Sequence, residues 1–196
     1  MNVESPITSV IPTLDGRVLE VAAASTIPLS LTEIHRRSTA GTLSGIRKVL
    51  IRLVGEGVLL RQPGGYVLNR DHIAVPAITA LTSMRSVFFA RLRSEVASWE
   101  WQPDLLGIFG SFARRSGDSQ SDIDILLISP QGCPDELRDR LCLRITAWTG
   151  NRVQVFDLTP SDVLRMQGQD EPLLDNWRRD LEIVMGQDSA LWEAIR

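Results

Sequence analysis

Apolar residues recur along the chain with two different periods. Leu14, Val18, Leu19 and Ala22 fall three or four apart, which predicts a short first helix that Pro28 stops. Leu31 to Arg37 reads as a second helix, with Ser30 at its N-cap and Glu33 three residues on, the spacing of a capping box. After the turn Ser38-Thr39-Ala40-Gly41, a third helix is expected from about Leu43 to Glu56. Ile46, Leu50, Leu53 and Val54 share one of its faces, Ser44, Arg47, Lys48 and Arg52 the other, and Gly57 ends it. Val58-Leu59-Leu60-Arg61 and Tyr66-Val67-Leu68-Asn69 flank Pro63-Gly64-Gly65, a hairpin signature. Pro76 opens a longer helix on which Ile78, Leu81, Phe88, Leu92, Val96 and Trp99 keep one buried face. The boundary between two domains, 1–73 and 74–196, is therefore expected within His72 to Pro76, with this helix packed on the second domain's sheet.

Beyond residue 104 the pattern changes. Leu105 to Phe109 is a short buried strand, Gly110-Ser111 follows at once, and Phe112-Ala113-Arg114-Arg115 can begin a helix. A polar loop, Ser116 to Ser121, leads into the strand Asp122-Ile123-Asp124-Ile125-Leu126-Leu127-Ile128. Arg152-Val153-Gln154-Val155-Phe156-Asp157 reads as another strand.

Composition narrows the class. The chain has 196 residues, 43% of them apolar, and mean hydropathy +0.00, values of a soluble globular protein. No apolar run approaches bilayer length, and Met1 to Pro12 has neither the basic start nor the apolar core of a signal peptide. Cys133 and Cys142 make no metal or disulfide spacing, so a reducing cytoplasm is the expected location. The net charge of -3 is unevenly spread: residues 1–70 hold eight Arg or Lys against five Asp or Glu, residues 71–196 thirteen against nineteen. A basic N-terminal part suits nucleic acid, and an acidic remainder suits either metal binding or a solvated surface.

The candidate chemistry lies in the second part. Residues two apart on a strand point the same way, so Asp122 and Asp124 project from one face while Ile123 and Ile125 enter the core on the other. Two carboxylates held together call for a positive partner, and Mg²⁺, which prefers a few carboxylate oxygens plus substrate phosphates, is the natural one. Gly110 lets the backbone come close to a ligand, Ser111 offers a hydroxyl, and Arg114 a cation for phosphate oxygens. Val153, Val155 and Asp157 share a face of the later strand. If that strand neighbours the first, Asp157 joins Asp122 and Asp124 in a three-carboxylate, two-ion site. The alternative for Asp157 is a turn or capping residue before Thr159-Pro160.

Two family resemblances follow from these motifs. Three short helices and a hairpin, with Leu53-Val54-Gly55-Glu56-Gly57-Val58-Leu59 and Gly64-Gly65-Tyr66, resemble the winged helix of bacterial transcription regulators. That resemblance implies DNA contacts from Thr42, Ser44, Arg47 and Lys48, and from Arg61 on the wing; protein interaction is the competing use of the fold. Gly110-Ser111-Phe112-Ala113-Arg114 followed by Ser121-Asp122-Ile123-Asp124-Ile125-Leu126 resembles the minimal nucleotidyltransferases of the polymerase-beta superfamily. Asp157 matches their third aspartate, and Pro172-Leu173-Leu174 through Trp177 with Leu181 to Gly186 their closing helix and strand. Arg115 stands where many members have glycine.

The resemblances imply a fold of α/β (α+β) class: a winged helix, then a small mixed-sheet, polymerase-beta-like nucleotidyltransferase domain. The implied activity moves a nucleoside monophosphate from an NTP to an acceptor hydroxyl. Asp122, Asp124 and Asp157 would be catalytic residues and ligands to two Mg²⁺ ions, and Gly110, Ser111 and Arg114 would hold the nucleotide. Expected partners are an NTP, duplex DNA and a partner protein bearing the acceptor; a homodimer stays open and no membrane is expected. Family members commonly act in toxin–antitoxin pairs. The alternative is a DNA-binding regulator or antitoxin whose transferase fold only binds nucleotide or a partner. His35 and His72 read as surface residues, and Trp99, Trp101, Trp148, Trp177 and Trp192 as core or partial-core fillers, with a nucleobase contact the lesser reading for Trp177.

Overall fold

A computed structural model describes residues 1–169 and 171–186, so Trp192 lies outside the described residues. The chain divides into two compact units, Ser5–Arg85 and Met1–Glu4 with Ser86 onward.

The first unit holds α1 (Leu14–Ala23), α2 (Leu31–Ser38), α3 (Leu43–Gly55), the hairpin strands β1 (Leu59–Gln62) and β2 (Gly65–Leu68), and α4 (Val75–Thr82). Ser30 caps α2, its hydroxyl accepting the Glu33 N–H at 3.1 Å. The return half of the box is replaced: the Glu33 carboxylate takes Arg36 at 2.6 Å and Arg37 at 2.5 Å instead. Thr42 caps α3 through the Gly45 N–H at 3.1 Å. Ile46, Leu50 and Leu53 are buried under α3 and meet Val18, Ile34, Leu59 and Leu68 in one core, each side chain contributing roughly 1.5–3 kcal/mol. Leu29 and Tyr66 exchange backbone hydrogen bonds of 2.9 Å in both directions, which ties the hairpin to the segment before α2. Gly65 permits this approach, since a Cβ there would stand 2.0 Å from the Leu29 carbonyl oxygen.

The expected long helix is broken. α4 ends at Thr82 and α5 (Met84–Ala97) begins after Ser83, whose backbone leaves the helical region. The Thr82 hydroxyl donates to the Thr79 carbonyl at 3.1 Å, the local competition that weakens a helix at adjacent Thr and Ser. Val75 and Ile78 belong to the first unit's core, and Phe88, Leu92 and Val96 to the second's. The division therefore falls at Arg85, past the expected His72–Pro76, and only α5 packs on the second unit's sheet.

That sheet has the order β5-β4-β3-β6, with β3 (Leu105–Phe109), β4 (Ile123–Ile128), β5 (Val153–Leu158) and β6 (Glu182–Gly186). β3 runs antiparallel to β4 and β6, and β4 parallel to β5, so the sheet is mixed, as expected. Between these strands lie α6 (Gly110–Arg114), α7 (Asp135–Thr149), α8 (Pro160–Gln167) and α9 (Pro172–Asp180). Strand alternation sends Leu106, Ile108, Ile123, Ile125 and Leu127 to a core with α5 and α7. Leu105, Phe109, Leu126 and Ile128 go to the other face, against Val163 of α8 and Leu174 and Trp177 of α9. Among the described residues no helix is long and apolar enough to cross a membrane.

Candidate functional site

β3 and β4 build the site from their register. Phe109 pairs with Asp124, so the chain leaves β3 at Gly110 directly beside the Asp124 carboxylate. Gly110 is buried with φ +73°, and a Cβ on it would lie 2.2 Å from Asp124 Oδ2. The first collision of a side chain at Gly110 is therefore within the protein, with the Asp124 carboxylate.

Asp122 is exposed and Asp124 half-buried, and they face the same cleft of about 430 Å³ with Gly110, Ser111 and Arg114. Burial, and then the charge of Asp122, push the Asp124 carboxyl above the ordinary range; Arg114 opposes this and Asp180 adds to it. Positive charge is thus short at this carboxylate pair, which is the condition a divalent cation relieves. Arg114 is partly engaged already, in an ion pair with Asp180 of α9, whose side chain is only 6% exposed. Asp180 Oδ1 is buried with no hydrogen-bond partner among the described residues.

The third expected carboxylate is elsewhere. β5 pairs with β4 so that Gln154 stands beside Asp124 and Asp157 beside Leu127. Val153 and Val155 pack into the α5–α7 core, and Asp157 shares their face, opposite to Asp122 and Asp124. There its carboxylate accepts the Cys133 N–H at 3.0 and 2.9 Å, and the Arg138 guanidinium lies 3.9 Å away. Asp157 therefore anchors the turn that leads into α7, and the three aspartates do not converge. The alternation within each strand was read correctly; the register between them was assumed. Among the described residues, no group of three or more His, Cys, Asp or Glu side chains is placed to hold a metal ion.

Three further residues shape the cleft. Phe156 lies on the same face as Asp124 and lines it, its ring 5.2 Å from that of Phe109, and Asn176 of α9 lines it too. The two-residue period of β5 was the available signal for Phe156 and Gln154. Asn151 is buried and its amide donates to the Ser121 carbonyl at 2.9 Å, holding the loop that delivers Asp122. Within that loop the Asp118 N–H donates to the Ser121 hydroxyl at 2.9 Å. Nothing in the local pattern of Asn151 marks this role, because its partner lies thirty residues away. Arg115 takes the left-handed conformation at φ 53°, which explains why glycine suits this position and gives Arg115 a structural cost. Trp177 is buried in the core below Phe109, 5.8 Å between rings, as a filler rather than a base contact.

In the first unit, Ser44, Arg47, Lys48 and Arg61 are all exposed. Arg47 and Arg61 line one cleft of about 540 Å³ between α3 and the hairpin, together with Ser30 and Tyr66. Thr42 is exposed as well, but its hydroxyl is used in capping α3 and lies 3.0 Å from that of Ser44.

Residues 91–159 match the family model described as a nucleotidyltransferase domain. The match takes in the Gly110 turn, Asp122, Asp124 and all of β5. A toxin–antitoxin complex with AMP-PNP is similar at 15% identity and TM-score 0.42, over 55% of this chain and 80% of that one. A mutant of the toxin–antitoxin pair MntA–HpeT is similar at 13% identity and TM-score 0.41, over 55% and 80%. A tri-AMPylated Shewanella oneidensis HEPN toxin in complex with MNT antitoxin gives 12% identity and TM-score 0.39, over 57% and 83%. No curated protein matches the chain. Scores at this level leave substrate and partner to be read from the site itself.

Proposed function

We propose that the second unit transfers a nucleoside monophosphate from an NTP to an acceptor hydroxyl on a partner protein. One observation carries this reading: the Phe109–Asp124 pairing brings the Gly110-Ser111 turn, Asp124 of β4 and Asp122 just before that strand to one open cleft. Asp122 and Asp124 would hold a divalent cation, with Mg²⁺ the expected ion. When bound, such an ion neutralises triphosphate charge and stabilises the leaving pyrophosphate. Gly110 keeps the backbone low at the cleft floor, Ser111 offers its hydroxyl and N–H to phosphate oxygens, and Arg114 can exchange Asp180 for a phosphate. Phe156 gives the cleft an apolar wall suited to the nucleoside. In the transfer, the acceptor oxygen bonds to the α-phosphorus, the bond from that phosphorus to the bridging oxygen of the β-phosphate breaks, and pyrophosphate leaves. A partner protein is the favoured acceptor because the cleft is open to a hydroxyl carried by a macromolecule. A toxin–antitoxin pair is one setting in which such a transfer operates.

The test is Mg²⁺-dependent NTP binding and pyrophosphate release by the full chain with its partner, alongside Asp122→Asn. The variant is expected to keep its melting temperature and lose release. Undiminished release would overturn the assignment of these carboxylates.

A second reading concerns the first unit, and a specific observation supports it: Arg47 and Arg61 reach one cleft from α3 and the hairpin. We propose a winged helix that binds duplex DNA, with Ser44, Arg47 and Lys48 at the groove and Arg61 at the adjacent backbone. Thr42 serves it through the cap of α3. Binding should fall steeply with salt, as phosphate contacts release counterions. Full-length Arg47→Ala/Arg61→Ala protein should bind more weakly than wild type in a low-salt titration, and unchanged affinity would mark the unit as a protein-interaction module.

A further inference from the structure

We infer that Gln154 occupies the place of the carboxylate a two-ion site requires, so that this chain binds its nucleotide with a single divalent cation. The inference rests on the transferase reading above and narrows it.

The register puts Gln154 next to Asp124 across the parallel β4–β5 pair, on the face that carries the cleft. Its side chain is exposed, as an acceptor-side ligand would have to be. A carboxamide carries no charge, and Mg²⁺ selects carboxylate oxygens and phosphates over amide oxygens. Asp157 cannot take its place. A one-residue slip of β5 would bring it to the cleft, but would also turn Val153 and Val155 out of the α5–α7 core. It would remove the acceptor from the Cys133 N–H as well. The other nearby acid, Asp180, has a side chain only 6% exposed and does not line the cleft. Among the described residues, two negative side chains then remain at the cleft, enough for one divalent ion beside a triphosphate.

The consequence falls on the acceptor side. Among the described residues no carboxylate stands there to take the hydroxyl proton, which leaves to solvent as the oxygen–phosphorus bond forms. Transfer is therefore slow compared with a site that holds a third aspartate, while nucleotide binding is unimpaired.

The experiment counts bound Mn²⁺ per bound α,β-methylene-ATP on the full chain, by equilibrium dialysis with labelled analogue and by electron paramagnetic resonance. Wild type should bind one Mn²⁺ per nucleotide. Gln154→Asp should bind two, with spin–spin broadening between them, and Gln154→Asn should bind one. Pyrophosphate release with ATP should rise in Gln154→Asp by roughly 100-fold, the low end for a positioned acid or base. Two Mn²⁺ per nucleotide in wild type, or one in both wild type and Gln154→Asp, would overturn the inference. Failure of the labelled analogue to bind at all would overturn the transferase reading itself, and this is read separately in the same dialysis.

Discussion

At the scale of single residues, the site is defined by what its side chains do to one another. Asp124 carries a cost in the metal-free protein, because burial and Asp122 both oppose its charge. Asp124→Asn should therefore raise the melting temperature of the metal-free chain and abolish the further rise that Mn²⁺ gives wild type. A lower melting temperature in metal-free Asp124→Asn would show that the carboxylate is structurally satisfied. Gly110 has the opposite sensitivity. Its positive φ and the 2.2 Å approach to Asp124 mean that Gly110→Ala should destabilise the fold itself, by about 1–3 kcal/mol in denaturant titration. Arg115, strained at φ 53°, should gain from Arg115→Gly by about 0.5 kcal/mol, the left-handed penalty less the greater freedom of glycine in the unfolded chain.

At the scale of elements, positions follow from pairing. The alternation of β4 was legible in its own residues, and so were the cap of α2 and the hairpin around Gly64-Gly65. Each of those signals is local: a period of two, a hydroxyl before a helix, a glycine with positive φ. What was not legible is non-local. Whether Gln154 or Asp157 meets Asp124 depends on how β5 slides along β4, and the sequence of β5 carries apolar residues for both faces. The break at Ser83 escaped for a related reason. A helical period runs through Ile78, Leu81, Phe88 and Leu92, yet its two halves serve different cores. Asn151 belongs at this scale too, since one buried amide holds the loop before β4. Asn151→Ala would leave the Ser121 carbonyl unpaired, costing about 1–3 kcal/mol of stability and weakening nucleotide binding more than an exposed substitution in the same loop. Calorimetric titration and melting curves on the same samples separate the two effects.

At the scale of the whole molecule, two cores share one chain. The first unit needs α4, for Val75 and Ile78 are 8% and 6% exposed within its core. A fragment ending at residue 85 should thus be more stable than one ending at residue 73 by about 3 kcal/mol or more, as two buried aliphatic side chains imply. Equal denaturation midpoints would return the boundary to the linker before Pro76.

Asp157 has an awkward consequence for anyone reading the protein by mutation. Its carboxylate fastens the peptide at Cys133, the hinge post from which α7 departs. An alanine there would loosen that post, and a screen scoring only lost turnover would count it among the reacting groups. Temperature tells the two cases apart: a chemical lesion persists in the cold, whereas a loosened post is expected to recover turnover on cooling.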